Sequence, residues 1–152
     1  MTASVLKIIK QYYLELLPFN KILGIEIDLL DYETGQAVTR FNMTHDLIGN
    51  STAGILHGGV TASVIDLTGG LSALISCAKS HEGKPLDFIE KKLTSSATID
   101  MRVDYLRPGQ GISFTCKSRI IRAGSRIVVA KIDLYNEKEI RIATGTATYL
   151  IG

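Results

Sequence analysis

The chain has 152 residues, of which 45% are hydrophobic and 21% charged, a balance typical of a globular domain that excludes disordered, collagen-like and disulfide-framework proteins. A formal net charge of +2 is too weak to predict a nucleic-acid partner. Cys77 and Cys116 lack metal-site spacing, which predicts free thiols, no bound metal and a cytoplasmic location. No secretory signal or uncharged span of membrane length is apparent, so we expect no membrane partner.

The first predicted element is an amphipathic helix over residues 3–17. Apolar side chains recur there at helical spacing, and Pro18 marks its end. Its single apolar face indicates that it packs as a cover over another element. We expect one domain over residues 1–152, with the N-terminal helix in 1–19 and the core in 20–152.

Residues 22–43 change to an alternating, strand-type pattern. A turn at residues 32–35, Tyr-Glu-Thr-Gly, separates two alternating runs. This pattern predicts a β-hairpin.

Residues 57–79 form the second predicted helix, which has no charge except Asp66 between His57 and Lys79. Seven apolar side chains fall on one stripe: Val60, Val64, Leu67, Leu71, Leu74, Ile75 and Ala78. Asp66 lies about 130° from that stripe among small residues, so we expect a sterically open carboxylate. Because the rest of the helix is apolar, most of its circumference should be covered by protein.

Residues 80–95 are polar and contain Gly83 and Pro85. They predict a flexible connector with one short helical turn near Phe88, which can act as a lid.

Four further strand-type runs follow: 97–106, 112–121, 126–135 and 139–150. The breaks between them are short, which predicts an antiparallel meander. About six strands wrapped around the long helix would bury both elements, so the predicted fold class is α+β. Such a sheet leaves two edges, and pairing of one edge with a second copy predicts a homodimer.

The start of the long helix is a candidate site. The first N–H groups of a helix have no internal acceptor and lie at its positive end, so Gly58 and Gly59 can donate to a carbonyl or a developing oxyanion. Two turns later Asp66 returns to the side of Gly59. We therefore expect donor and acid/base group to share one cleft.

Each of these residues also has a structural explanation. Paired glycines can serve close helix–sheet packing, His57 can cap the helix or be a core histidine, and Asp66 can make a subunit contact. A lone carboxylate on a buried helix, however, costs free energy unless it is paired or functional, which favours a functional role.

Two stretches resemble a known family. Residues 56–70, LHGGVTASVIDLTGG, resemble the motif of the PaaI-like (YigI-type) acyl-CoA thioesterases of the hotdog superfamily, and residues 97–109, ATIDMRVDYLRPG, resemble the strand and turn that follow it. The resemblance covers about residues 20–150. It implies the hotdog fold and hydrolysis of acyl-CoA to a free acid and CoA without a cofactor. It also implies a homodimer as the minimal unit and a homotetramer built from two such dimers.

The resemblance also implies residue roles. Asp66 matches the catalytic carboxylate, as general base or nucleophile, and Gly58 matches the backbone donor that polarises the thioester carbonyl. His57 matches a histidine that shapes the loop, and Thr98 a hydroxyl residue that the neighbouring subunit supplies to orient water. Asn50 matches an asparagine that stands one residue nearer the histidine in several relatives.

Substrate contacts are expected at Gly59, Gly70, Arg107 and Arg126. Gly70 and its small neighbours would leave room for an acyl chain at a seam between two long helices. By resemblance, arginines at the meander turns contact the phosphates of CoA. A solvated hairpin rim explains these arginines equally well.

Apolar strands favour medium- or long-chain or aryl acyl groups. Two other functions stay open on the same fold: a hydratase or dehydratase, whose local motifs are not found in this sequence, and a non-catalytic domain that binds an acyl ligand. A Ser-His-Asp hydrolase does not fit, because the sequence has no G-x-S-x-G motif.

Overall fold

A computed structural model describes residues 2–151. Its helical elements are α1 (Thr2–Gln11), a π-helical turn (Tyr12–Leu16), α2 (Pro18–Ile22), a 3-10 turn (His45–Leu47), α3 (Gly58–Ser80) and α4 (Leu86–Thr94). Its strands are β1 (Glu26–Leu30), β2 (Ala37–Asn42), β3 (Ile48–Asn50), β4 (Ile55–Leu56), β5 (Ala97–Tyr105), β6 (Ser113–Ala123), β7 (Ile127–Asn136) and β8 (Arg141–Leu150).

Within these residues, six strands form one antiparallel sheet in the order β1-β2-β6-β7-β8-β5, and β3 pairs with β4 in a small ribbon. The predicted hairpin is confirmed as β1 and β2, and β6, β7 and β8 form a meander. The prediction that β5 belongs to the meander is wrong, because β5 pairs with β8 at the sheet edge. Residues 106–112 instead cross the end of the sheet, bonding to Ile142 and Asn136 on the way to β6.

The N-terminal segment forms the predicted cover, but in three pieces. A π-helical turn follows α1, and Pro18 begins α2 at a first-turn position where a missing N–H costs no hydrogen bond. Val5, Ile9 and Tyr13 are buried. The segment packs on α3 and α4.

Small residues let α3 approach the sheet closely. A β-carbon at Gly145 of β8 would lie 2.6 Å from Cγ2 of Ile65 in α3, and one at Gly69 would overlap the Tyr149 hydroxyl. Glycine at both positions therefore sets the spacing between helix and sheet.

Polar side chains at this contact satisfy one another. The Thr39 and Thr68 hydroxyls are 2.7 Å apart, and the Ser118 hydroxyl donates to the Thr68 carbonyl at 2.9 Å. Among residues 2–151, no buried side-chain nitrogen or oxygen lacks a partner, so the contact avoids the cost of unpaired buried polar groups.

By length and composition α3 is apolar enough to cross a membrane, but 72% of its most apolar window is buried inside the protein. The sheet packs on one side of the helix, and α1 and α4 pack on the other. Its apolar character therefore follows from its place in the core, as the sequence predicted.

The helical turn predicted near Phe88 is confirmed, but the prediction of a flexible connector around it is wrong for residues 86–94. This stretch is the helix α4, and its side chains Ile89 and Leu93 are 1% and 3% exposed. Helical spacing of these two apolar residues packs α4 against α3.

Candidate active site

Asp66 is half-buried on α3 and is held by two strands. The Thr98 hydroxyl at the start of β5 donates to Oδ1 of Asp66 at 2.9 Å. From β8, the Tyr149 hydroxyl donates to the backbone carbonyl of Asp66 at 2.8 Å. The carboxylate is thus flanked by larger polar side chains as well as by the small residues that the helical pattern predicted.

The surroundings of Asp66 change its acidity. Burial raises the pKa of the Asp66 carboxyl above its ordinary value, and the hydrogen bond from Thr98 opposes that rise. Burial, reinforced by the charge of Asp66, also raises the pKa of the Tyr13 and Tyr149 phenols. Both tyrosines therefore stay neutral, and Asp66 is a carboxylate of raised basicity beside neutral hydroxyl groups.

A cavity of about 280 Å³ opens beside Asp66, between α3, the N-terminal segment and α4. Tyr13, Leu74 and Leu93 form part of its apolar wall. Gly70 lines the cavity, but the Tyr13 hydroxyl occupies the space beside it, where a β-carbon would overlap. The room predicted at Gly70 is therefore largely filled by the chain's own N-terminal segment.

The start of α3 is capped by its preceding histidine. Nδ1 of His57 accepts a hydrogen bond from the Gly59 N–H at 2.8 Å. The expectation that Gly59 offers a free donor is therefore wrong. Within residues 2–151, the exposed Gly58 N–H has no acceptor. The Gly58 carbonyl, which belongs to the next peptide unit, accepts a hydrogen bond from the Tyr105 hydroxyl at 2.9 Å.

Asp66 and Gly58 do not share a cleft within one chain. They are two helical turns apart, which separates them by about 12 Å along the axis. The lining of the Asp66 cavity includes none of residues 57–59. The expectation that a neighbouring subunit supplies Thr98 is also corrected, since Thr98 bonds to Asp66 of its own chain.

The other predicted site residues lie outside the cavity. Oδ1 of Asn50 accepts from the N–H groups of Thr52 and Ala53, each at 3.1 Å, and so holds the turn between β3 and β4. Arg107 lies on the segment that crosses the sheet end, where its N–H donates to the Ile142 carbonyl and its guanidinium to the Arg141 carbonyl. Two residues later, the Gly109 carbonyl accepts from the Leu56 N–H of β4, which leads into α3. Arg126 lies at the opposite end of the sheet, where its carbonyl accepts from the Ile151 N–H.

The predicted residues thus lie in three places. Asp66, Thr98 and Gly70 surround the cavity, and Asn50, His57, Gly58 and Gly59 lie in the ribbon before α3 and at its start. Arg107 and Arg126 lie at opposite ends of the sheet. Within residues 2–151, no three His, Cys, Asp or Glu side chains are grouped so that they could hold a metal ion.

Tyr13 and Tyr149 are the site residues that the sequence analysis missed. Tyr13 stands on the apolar face predicted for the first helix, and Tyr149 on the inward face of the last strand. Neither local pattern shows that both meet Asp66, because the three residues come from distant parts of the chain.

Comparison with known proteins adds independent information. Residues 53–143 match the sequence model of the thioesterase superfamily. The chain is 42% identical over 147 residues to the medium/long-chain acyl-CoA thioesterase YigI of Salmonella typhimurium, covering 97% of this chain and 94% of that protein.

Solved structures agree with the sequence match. A Shewanella oneidensis protein related to the thioesterase superfamily is 42% identical with a TM-score of 0.92, covering 99% of this chain and 97% of that one. The E. coli PaaI protein from the phenylacetic acid degradation operon has a TM-score of 0.76 at 19% identity, over 99% of this chain and 94% of its own, which shows a shared fold.

The hydrogen bond between Thr98 and Asp66 should affect the pKa of the Asp66 carboxyl. Because this bond favours the charged carboxylate, Thr98→Val should raise the pKa of Asp66 further, whereas Thr98→Ser keeps the hydroxyl and should leave the pKa near that of the wild type. The pKa is measured from the carboxyl ¹³C chemical shift of Asp66 during a pH titration. An unchanged or lower pKa in Thr98→Val would contradict this arrangement.

Proposed function

The chain belongs to the thioesterase superfamily and is a thioester hydrolase, and from this premise we propose that it hydrolyses medium- or long-chain acyl-CoA with Asp66 as general base or nucleophile. Membership confirms the hotdog fold and the family that the motifs at residues 56–70 and 97–109 resembled. The length of the acyl group is proposed from the name of the Salmonella typhimurium relative and from the apolar cavity wall beside Asp66.

One observation carries the catalytic proposal: a half-buried carboxylate on the core helix faces a cavity without a cationic partner among residues 2–151. Thr98 binds Oδ1 of Asp66, which leaves the other carboxylate oxygen for water. A carboxylate with a raised pKa is a stronger base than an exposed one, which suits it to accept a proton.

The reaction follows from these groups. The Gly58 N–H donates to the thioester oxygen and stabilises the negative charge that develops there. Asp66 accepts a proton from the attacking water as the C–O bond forms at the carbonyl carbon. The tetrahedral intermediate then expels the CoA sulfur, and the proton on Asp66 passes to this thiolate, which leaves the free acid and CoA. If Asp66 is instead the nucleophile, water hydrolyses the resulting anhydride.

We propose that a homodimer completes the site. A water activated by Asp66 must lie within hydrogen-bond distance of the carboxylate and next to the carbonyl that Gly58 binds, and about 12 Å along one helix prevents this in a single chain. Pairing of two chains through the edge strand β5 can bring the helix start of one chain to the Asp66 of the other. Ile99 and Tyr105 of β5 are 56% and 57% exposed, which provides apolar surface for such pairing.

Arg107 stands two residues before Gly109, which bonds to the strand leading into α3, and this position supports a contact with the phosphates of CoA, whose sulfur must lie near the Gly58 N–H. We also propose a cytoplasmic location. Cys77 and Cys116 are buried free thiols, which is usual in a reducing compartment.

Asp66→Asn tests the role of the carboxylate. The variant keeps the shape of the side chain but cannot accept the proton, so the rate of thiol release from acyl-CoA, followed with DTNB, should fall by roughly two to four powers of ten. Thermal unfolding of the same variant is the control for folding.

The stability of Asp66→Asn has a defined sign. Because the folded-state pKa of Asp66 is raised, ionisation of Asp66 costs stability above that pKa, and the neutral amide avoids this cost. The difference in Tm, variant minus wild type, should therefore be larger at pH 8 than at pH 4.

Unchanged thioester hydrolysis by Asp66→Asn would refute the mechanism. If the wild-type protein forms a 3-hydroxyacyl product from enoyl-CoA, it is a hydratase. If acyl-CoA raises its Tm but is not cleaved, it is a binding domain.

Gly58→Pro tests the backbone donor. Gly58 is the first residue of α3, where proline is tolerated, and His57 before it has φ −63° and ψ 136°, the conformation that precedes proline. The variant removes the N–H and should lower kcat by roughly two to three powers of ten with little change in Tm. Gly58→Ala keeps the N–H and adds a β-carbon no closer than 3.5 Å to Tyr105, so it should retain most activity. Equal loss in both variants would contradict the donor role.

A further inference from the structure

A second cavity adjoins the one beside Asp66. It has a volume of about 270 Å³ and lies between α1, the π-helical turn and α4. The side chains of Tyr12, Leu74 and Leu93 line both cavities and form the boundary between them. The two spaces therefore follow one another along the N-terminal segment.

The second cavity has an apolar wall and a polar mouth. Ile8, Ile9 and Leu16 supply apolar surface. Gln11, Glu90 and Thr94 lie at its exposed rim. Hydrocarbon suits such a wall, whereas a charged group inside it would lose hydration without gaining a cationic partner.

The π-helical turn carries two of the side chains that lie along this route. The adjacent residues Tyr12 and Tyr13 both line the cavity beside Asp66. Tyr13 fills the space beside Gly70, while Tyr12 stands at the boundary with the second cavity. Such turns are frequent at functional sites.

The volumes indicate what the second cavity adds. Pockets for small ligands commonly measure about 300 to 1,000 Å³, so the cavity of about 280 Å³ beside Asp66 is just below that range. The second cavity roughly doubles the space. A medium acyl chain can be held largely in the first cavity, and a long one needs both.

We propose that the second cavity binds the methyl end of a long acyl chain and so determines how strongly the enzyme favours long over medium substrates. This inference rests on the proposed function. The thioester lies beside Asp66, the chain passes the boundary at Tyr12, Leu74 and Leu93, and its end contacts Ile8 and Leu16.

Bulky substitutions at the rim test this proposal without altering the core. Gln11→Trp and Thr94→Trp place an indole at the mouth of the second cavity from opposite helices. Lys91→Trp is the matched control, since Lys91 is exposed on α4 and lines neither cavity. The measured quantity is the ratio of kcat/KM for palmitoyl-CoA, kept below its micelle concentration, to that for octanoyl-CoA.

Both rim variants should lower this ratio at least about tenfold, because several methylene groups lose their burial. The control should keep the wild-type ratio. A wild-type ratio in both rim variants, or an equal drop in Lys91→Trp, would overturn the proposal.

A binding measurement separates this proposal from the proposed function. The rim variants should weaken binding of palmitate, measured by calorimetry, at least about tenfold relative to octanoate. If wild type cleaves no acyl-CoA, the proposed function fails, and the palmitate measurement still decides whether the second cavity holds a chain. Equal palmitate affinity in wild type and rim variants would refute the cavity assignment.

Discussion

A carboxylate in the wall of an apolar core loses hydration, and the fold around Asp66 is arranged to offset that loss without neutralising the charge. Thr98 donates to the carboxylate, and two neutral tyrosines, one from the N-terminal segment and one from the last strand, stand beside it. Within residues 2–151, no cation pairs with Asp66. A salt bridge would have stabilised the charge and lowered its basicity, so this arrangement keeps a base available.

The helix α3 packs closely against the sheet on one side and more loosely against the N-terminal segment and α4 on the other. The two cavities follow from this difference. Toward the sheet, Gly69 and Gly145 allow close contact, and the buried hydroxyls of Thr39 and Thr68 bond to each other. Toward solvent, the N-terminal segment and α4 cover the helix with larger side chains that leave space between them. Close packing on one face and looser cover on the other place a cavity where Asp66 lies.

Local periodicity predicted α3, the hairpin and the strand runs, because burial of one face imposes a repeat that the sequence displays. The edge position of β5 depends on pairing with the distant β8, and the short break at 107–111 resembles a hairpin turn. The meeting of Tyr13 with Gly70 is likewise a long-range contact. The angular position of Asp66 on the helix was correct, but a helical wheel omits the rise along the axis, which separates Asp66 from Gly58 within one chain.

The central claim is that Asp66 of one chain and the Gly58 N–H of another act on the same thioester. Asp66→Asn and Gly58→Pro chains carrying different affinity tags can be co-expressed, and the mixed dimer purified through both tags. If each site is shared between two chains, one of the two sites in the mixed dimer contains both the Asp66 carboxylate and the Gly58 N–H, and the other contains neither. The mixed dimer should then show about half the wild-type kcat per dimer. Activity no greater than the average of the two inactive parents would contradict the account.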